Sequence, residues 1–242
     1  MITKNIFKIH VLYYVVAFVS FLTGNFKNFI IFSAIIIVHE TGHIVGALIF
    51  KWKIDKVILL PFGGITIFKE NIDKPLKQEL IITLLGPLFQ ILFYLIFKNN
   101  AVFNHYNMAI LLFNLLPIYP LDGSKILNIF FNELISFKKS HILTIVVSGI
   151  TLFFLLFKIR KNLLLLLILF FLVVEIIKEI VKHKYYFNRF LLERYLYNYD
   201  YKKRKTITKL TKMKKQTKHL FKIGNNYHSE KDIIKKLFDK RA

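Results

Sequence analysis

The chain has 242 residues, of which 55% are hydrophobic and 26 are phenylalanine, and this apolar content excludes disorder for most of its length. It contains no cysteine, which excludes disulfides, iron–sulfur clusters, thiolate zinc sites and a cysteine nucleophile. The formal net charge of +22 is compatible with nucleic-acid binding. Long uncharged Leu/Ile/Phe runs instead favour a membrane protein whose basic residues face anionic headgroups.

Six apolar runs predict an all-α polytopic membrane protein with about six transmembrane helices. They lie at residues 11–24, 29–50, 80–97, 101–118, 142–157 and 163–181. Several are at or below the length of about 20 residues that a helix needs to cross the bilayer core. Such short spans require that flanking side chains snorkel to the interface or that the bilayer thins locally. The first run is not followed by a small-residue cleavage site, so we interpret it as a retained segment.

The distribution of Lys and Arg predicts the orientation. With six spans, the N-terminus and the loops on its side of the membrane carry 11 basic residues, and the opposite loops carry 5. Residues 182–242 add 19 basic and 5 acidic residues to the first side. Because basic loops stay inside, both termini are expected in the cytoplasm.

Two segments depart from the pattern of apolar helices. Residues 57–60 and 65–68 are β-prone runs around a Pro-Phe-Gly-Gly turn, which predicts a short membrane-associated hairpin between the second and third spans. Residues 182–201 predict a basic, surface-lying amphipathic helix. The next four residues, Lys-Lys-Arg-Lys, are interpreted as a linker, and the remaining residues as too few and too charged for a separate domain.

The motif His39-Glu40-Thr41-Gly42-His43 lies within the second span. Residues i and i+4 share one face of a helix, so both imidazoles converge on a point that suits Zn²⁺, with Glu40 beside them to take a proton from water. The alternative is a pair of structural core histidines. His39 lies about 16 Å from the Phe50 end of the span, and ionisable groups at such depth favour the metal interpretation.

Asp122 is the candidate third ligand, because a catalytic zinc usually has three protein ligands. It follows the fourth span, where Pro117 and Pro120 break the helix and allow a new one to begin. The alternative is that Asp122 only caps that new helix. Asn114 is interpreted as bonding backbone or substrate amides, or as a helix–helix hydrogen bond in the membrane.

Together these segments resemble the site-2 protease family of intramembrane zinc metalloproteases, and within it the branch found in endospore-forming bacteria. The resemblance covers roughly residues 5–200. It rests on HETGH at 39–43, LLPFGG at 59–64, GP at 86–87, NLLPIYPLDG at 114–123 and RFLLERY at 189–195.

The resemblance implies an intramembrane endopeptidase that cleaves a membrane-associated regulatory protein, the precursor of a late sporulation sigma factor. It implies one Zn²⁺ per chain held by His39, His43 and Asp122, with Glu40 as general base. It also implies inhibitory membrane proteins as partners, and a location in the mother-cell membrane around the forespore. The implied substrate contacts are Asn114, Pro120, Phe62 and Val57.

The tail departs from the family pattern. Members of this branch usually end in a CBS domain that senses adenine nucleotide, whereas residues 206–242 are short and show no second β-α unit. We therefore divide the chain into a six-span protease domain at 1–181 and a basic cytoplasmic tail at 182–242, with the tail as a reduced or vestigial CBS-like region. The oligomeric state is left open.

Two other functions compete with proteolysis. The first is a transport-related or catalytically inactive zinc-binding membrane protein. A transporter needs carboxylates on several spans, and a dead homologue usually lacks the base, whereas Glu40 is present. The second is nucleic-acid binding by the basic tail, but the tail carries no binding motif and a polybasic cytoplasmic face explains its charge. We expect no nucleic-acid partner.

Overall fold

The computed structural model describes residues 7–60, 63–69, 72–158, 163–197, 199 and 201–239. Two compact units divide the chain. The first comprises residues 1–70, 77–116 and 120–123, and the second comprises residues 71–76, 117–119 and 124–242. The proposed metal ligands all belong to the first unit.

The first unit combines four helices with a small sheet. In chain order its elements are β1 (Phe7–Ile9), α1 (Val11–Leu22), α2 (Phe26–Ile49), β2 (Ile54–Leu60), β3 (Gly63–Phe68), α3 (Leu76–Phe97) and α4 (Ala101–Asn114). The sheet order is β1-β2-β3, with β1 parallel and β3 antiparallel to β2. The predicted hairpin is therefore present, and β1 extends it on the β2 side, which the sequence did not indicate.

Local sequence explains where the helices of this unit begin and end. The side chain of Asn100 caps α4 by accepting a hydrogen bond from the Phe103 amide at 3.0 Å. After the C-terminal end of α2, Lys51 adopts a left-handed φ of 56°, which ends the helix and turns the chain toward β2. Small residues then allow close packing, because a Cβ on Gly42 would lie only 2.3 Å from the backbone oxygen of Leu85 in α3.

The second unit contains the remaining helices and a second sheet. Its elements are α5 (Asp122–Leu134), which begins within the first unit, then α6 (Phe137–Lys158), α7 (Leu163–Leu196), β4 (Lys203–Ile207), a 3₁₀ turn (Leu210–Lys212), β5 (Thr217–Ile223), β6 (Asn226–Ser229) and α8 (Glu230–Asp239). The sheet order is β4-β5-β6, with β4 parallel and β6 antiparallel to β5.

A buried apolar cluster stabilises this sheet against the end of α7. Phe137 and Phe190 stack with ring centroids 4.5 Å apart. The other buried members are Leu191, Ile207, Met213, Phe221 and Ile234. The tail is thus folded, because alternate residues of short basic strands supply enough apolar side chains to share one core with α7.

The structure corrects three sequence-based expectations. The fold is mostly helical but not all-α, because it contains two three-stranded sheets. The sixth apolar run and most of the expected surface helix form one continuous helix, α7, since residues 163–196 contain neither Pro nor Gly. The expected Lys-Lys-Arg-Lys linker is largely strand β4, which pairs with β5 from Lys203 onward.

In the part of the chain that the structure describes, three helices are long and apolar enough to cross a membrane: Phe26–Ile49, Leu76–Phe97 and Phe137–Phe157. The other three expected spans also coincide with helices, but α1 has 12 residues, α4 has 14 and α7 carries charged residues along its second half. Six spans therefore stay a prediction.

Candidate metal centre

Helix α2 brings His39, Glu40 and His43 to one buried position. Their exposed fractions are 1%, 3% and 4%. The two imidazole rings face each other with centroids 4.9 Å apart, and their Nε2 atoms are separated by 3.2 Å. Ligand atoms of all three residues lie within 4.8 Å of one another. The helical spacing thus produces the convergence that the sequence predicts.

Asp122, the first residue of α5, completes the group. Its Oδ2 atom lies 2.9 Å from Nε2 of His39 and 2.9 Å from Nε2 of His43. Two nitrogens and one oxygen therefore form a triangle with edges of 2.9, 2.9 and 3.2 Å. A tetrahedral zinc with bonds of about 2.0–2.1 Å has ligand atoms roughly 3.3 Å apart, so the triangle fits one face of such a site.

The outer nitrogen of each imidazole has a hydrogen-bond acceptor. Nδ1 of His39 lies 2.9 Å from Oε1 of Gln90, and Nδ1 of His43 lies 2.9 Å from the backbone oxygen of Ile82. In neutral imidazoles with Nδ1 as the donor, both Nε2 lone pairs are directed at the carboxylate oxygen of Asp122. Three acceptor atoms that converge in one buried position can hold a shared cation, and this donor set suits Zn²⁺.

Strand β3 supports Glu40. The hydroxyl of Thr66 donates to Oε2 of Glu40 at 3.2 Å, and Thr66 is itself buried. A Cβ on Gly64 would meet Oε1 of Glu40 at 2.7 Å, so only glycine allows the strand to lie this close to the carboxylate. The carboxylate is consequently held beside the histidines.

Helix α3 approaches the histidines through Gly86. A Cβ at this position would lie 2.4 Å from Nε2 of His43 and 3.0 Å from Nε2 of His39. A side chain at residue 86 would therefore occupy the space between the ligands. The Gly-Pro pair at 86–87, part of the resemblance to the protease family, thus has a steric function at the site.

The four residues expected to contact substrate differ in burial and position. Asn114 is 4% exposed, and its Nδ2 donates to the Ile110 carbonyl at 3.1 Å. Pro120 is half-buried and lies two residues before Asp122, whereas Val57 is fully buried in β2. Phe62 lies outside the described residues. Substrate binding by these four residues stays a prediction.

The sequence did not single out the groups that form hydrogen bonds with His39, Glu40 and His43. They are Gln90, Thr66 and the backbone carbonyl of Ile82. One signal could have revealed Gln90, because a glutamine in the otherwise apolar third run must find a partner at membrane depth. A backbone carbonyl has no sequence signal.

Comparisons with known proteins agree with this geometry. A family model for peptidase family M50 matches residues 27–104. Stage IV sporulation protein FB of Bacillus subtilis (strain 168) is 35% identical over 207 residues, which cover 78% of this chain and 72% of that protein. A zinc metalloprotease of Methanocaldococcus jannaschii is 31% identical over 127 residues, which cover 46% of this chain and 36% of the relative.

The fold is also similar to a solved structure, the site-2 protease from Methanocaldococcus jannaschii. The TM-score is 0.56 at 24% sequence identity, and the match covers 74% of this chain and 92% of that one. At this identity the likeness concerns the fold. It is consistent with a membrane location for a chain that has apolar helices of spanning length.

The chain belongs to peptidase family M50, and it is therefore a zinc metalloendopeptidase of the site-2 protease type. Within that family it is similar over most of its length to a sporulation protein.

Proposed function

We propose that this intramembrane protease holds one zinc ion through Nε2 of His39, Nε2 of His43 and Oδ2 of Asp122. The observation that carries the proposal is the triangle of these atoms, with edges of 2.9–3.2 Å. When bound, the zinc ion would supply Lewis-acid activation of water and of the scissile carbonyl.

Glu40 is the proposed general base. Its carboxylate takes a proton from the attacking water and later delivers it to the leaving amine nitrogen. Thr66 occupies Oε2 with a hydrogen bond, which leaves Oε1 as the oxygen that moves the proton. Glu40 is only 3% exposed, so bulk water does not weaken its hydrogen bond with Thr66.

The substrate is proposed to bind as an extended strand along β3. A helical substrate hides its carbonyls in intrahelical hydrogen bonds, so the cleaved segment must be extended. Among the described residues β3 pairs with β2 alone, so its other edge can accept a strand. This edge begins at Gly63, in the strand that contacts Glu40 through Gly64 and Thr66. The proposed substrate contacts are Asn114, Pro120, Phe62 and Val57.

The proposed substrate is a membrane-associated regulatory protein, the precursor of a sporulation sigma factor. Two features support this choice. The sequence motifs resemble the sporulation branch of the family, and the relative that matches over 78% of this chain is a sporulation protein. Inhibitory membrane proteins are proposed as further partners.

The proposed location is the cell membrane, in a sporulating cell the mother-cell membrane around the forespore. The six helical segments within 1–181 would cross it, with both termini in the cytoplasm. The tail at 182–242 would then lie on the side from which the proposed substrate arrives. Its β-β-β-α order after α7 supports the interpretation as a reduced CBS-like region.

Co-expression with a sigma-factor precursor tests the proposal. The parent chain should shorten the precursor, and Glu40→Gln should retain zinc but leave the precursor intact, because the amide cannot accept the proton. Thr41→Val is the matched control, since Thr41 lies next to Glu40 but is exposed and bonds only the preceding turn of α2 at Ile37. Shortening by Glu40→Gln at the parental rate would contradict the assignment of the base.

A further inference from the structure

One face of α3 contacts both histidines. Ile82, Gly86 and Gln90 are spaced four residues apart, so they lie on the same side of the helix. Ile82 supplies a carbonyl to His43, and Gly86 allows the close approach. Gln90 is the one side chain of the three that bonds a proposed ligand, through Oε1 to Nδ1 of His39 at 2.9 Å.

The orientation of the Gln90 amide is fixed from its other end. Its Nε2 atom donates to the backbone oxygen of Asn107 in α4 at 2.7 Å, and the residue is 0% exposed. A flipped amide would place two oxygens against each other at the Asn107 carbonyl, which can only accept. The amide orientation that satisfies Asn107 is therefore the one in which Oε1 of Gln90 accepts a hydrogen bond from Nδ1–H of His39.

We infer that Gln90 is a positioning residue that fixes the tautomer and ring orientation of His39 and does so without charge. The inference rests on the proposed zinc centre. A second carboxylate at this position would make the imidazole more basic and would reduce the positive charge of the loaded site. A neutral acceptor orients the ligand while the site keeps the positive charge that polarises a carbonyl.

The test measures zinc affinity by competition with a chromophoric chelator, on the purified full-length chain. Gln90→Leu removes the acceptor and should weaken zinc binding about 10–100-fold. Gln90→Glu restores an acceptor of the same length for His39, although its second oxygen then faces the Asn107 carbonyl, and it should bind zinc more tightly than Gln90→Leu. This rescue of zinc affinity by a restored acceptor is the readout that a merely structural role would not produce, and at full zinc occupancy Gln90→Glu should still cleave more slowly than the parent.

Gln78→Leu is the matched control, because Gln78 lies on the same helix and accepts a hydrogen bond from Trp52 at 3.1 Å, away from the histidines. It should bind zinc like the parent. Parental zinc affinity in Gln90→Leu would overturn the inference. If Gln90→Leu fails to fold, Gln90→Ala decides, since it also removes the acceptor and parental zinc affinity in that folded variant would overturn the inference equally. A parent chain that binds no zinc would contradict the proposed function itself.

Discussion

Gly64 lies against the carboxyl group of Glu40, so close that a Cβ on Gly64 would be 2.4 Å from Cδ of Glu40. Two residues further along β3, Thr66 donates a hydrogen bond to the same carboxylate. The strand that we propose as the substrate-binding edge therefore also sets the position of the proposed base. Strand and base form one structural unit, although 24 residues separate Glu40 from Gly64 in the sequence.

Gly64→Ala should reduce cleavage strongly while zinc content is unchanged. The added methyl must displace the Glu40 carboxylate, and a displacement of about 1 Å in a reacting group costs roughly 100-fold in rate. Precursor cleavage and zinc content are measured on the same preparation. Gly149→Ala is the control, because nothing lies within 4 Å of a Cβ at that position. Parental cleavage by Gly64→Ala would contradict the assigned position of the base.

Gly86→Ala should reduce zinc binding rather than only catalysis. Its methyl would lie 2.4 Å from both Cε1 and Nε2 of His43, so α3 or the imidazole must move. The zinc content of the purified variant, compared with that of Gly149→Ala, measures the effect. Full zinc in Gly86→Ala would show that α3 does not approach the ligands this closely.

Proline in β3, the strand proposed to bind the substrate, should weaken cleavage without removing zinc. Ile65→Pro and Ile67→Pro each delete a backbone donor of β3, and an added strand needs such donors. Ile67→Ala is the control, because it shortens the side chain but keeps the N–H group. If both proline variants cut the precursor at the parental rate, the substrate does not bind along β3.

The sequence predicted the part of the site that depends on local spacing. The i, i+4 pair of His39 and His43 needs only a helix to converge, and Asp122 could be selected because two histidines lack a third ligand. Gln90 and Thr66 could not be predicted in these roles. Their contacts depend on how α3 and β3 pack against α2, and that packing is decided by glycines whose missing side chains leave no chemical signal.

The tail shows the same limit at the level of the fold. The high charge of the tail gave no indication that it has a buried core. Buried residues alternate along β5, as in Thr217, His219 and Phe221. Strand β4 is exposed at four of its five positions, so its sequence resembles a linker. Only the pairing with β5 makes it a strand.

A buried ion pair should control the stability of the second unit. Nε of Arg194 lies 2.8 Å from Oδ2 of Asp73, and both side chains are at most 2% exposed. Removing one partner of such a pair typically costs about 3–5 kcal/mol because the other charge stays buried. Asp73→Asn should therefore make the tail sensitive to limited proteolysis.

The double variant Asp73→Asn, Arg194→Met is compared with Asp73→Asn in the same proteolysis experiment. It also removes the contacts of Arg194 with Glu230 and with the carbonyl oxygens of Lys214 and Thr217, so it should resist protease no better than Asp73→Asn alone. Equal resistance of the parent and Asp73→Asn would show that the pair does not stabilise this unit.

Single cysteines test the proposed topology on a native chain that has none. Lys69→Cys, after β3, should react with a membrane-impermeant maleimide only in permeabilised cells. Lys98→Cys, in the turn after α3, should react in intact cells. Both positions are exposed, so access depends on the side of the membrane. Equal labelling of Lys69→Cys in intact and permeabilised cells would reverse the orientation.

Zinc content tests the central claim most directly, because the claim concerns which atoms hold the metal. Metal analysis of the purified parent and of Glu40→Gln should each find about one zinc per chain, since only the base changes. The double variant His39→Ala, His43→Ala should retain almost none. Full zinc in that double variant would contradict the site formed by His39, His43 and Asp122.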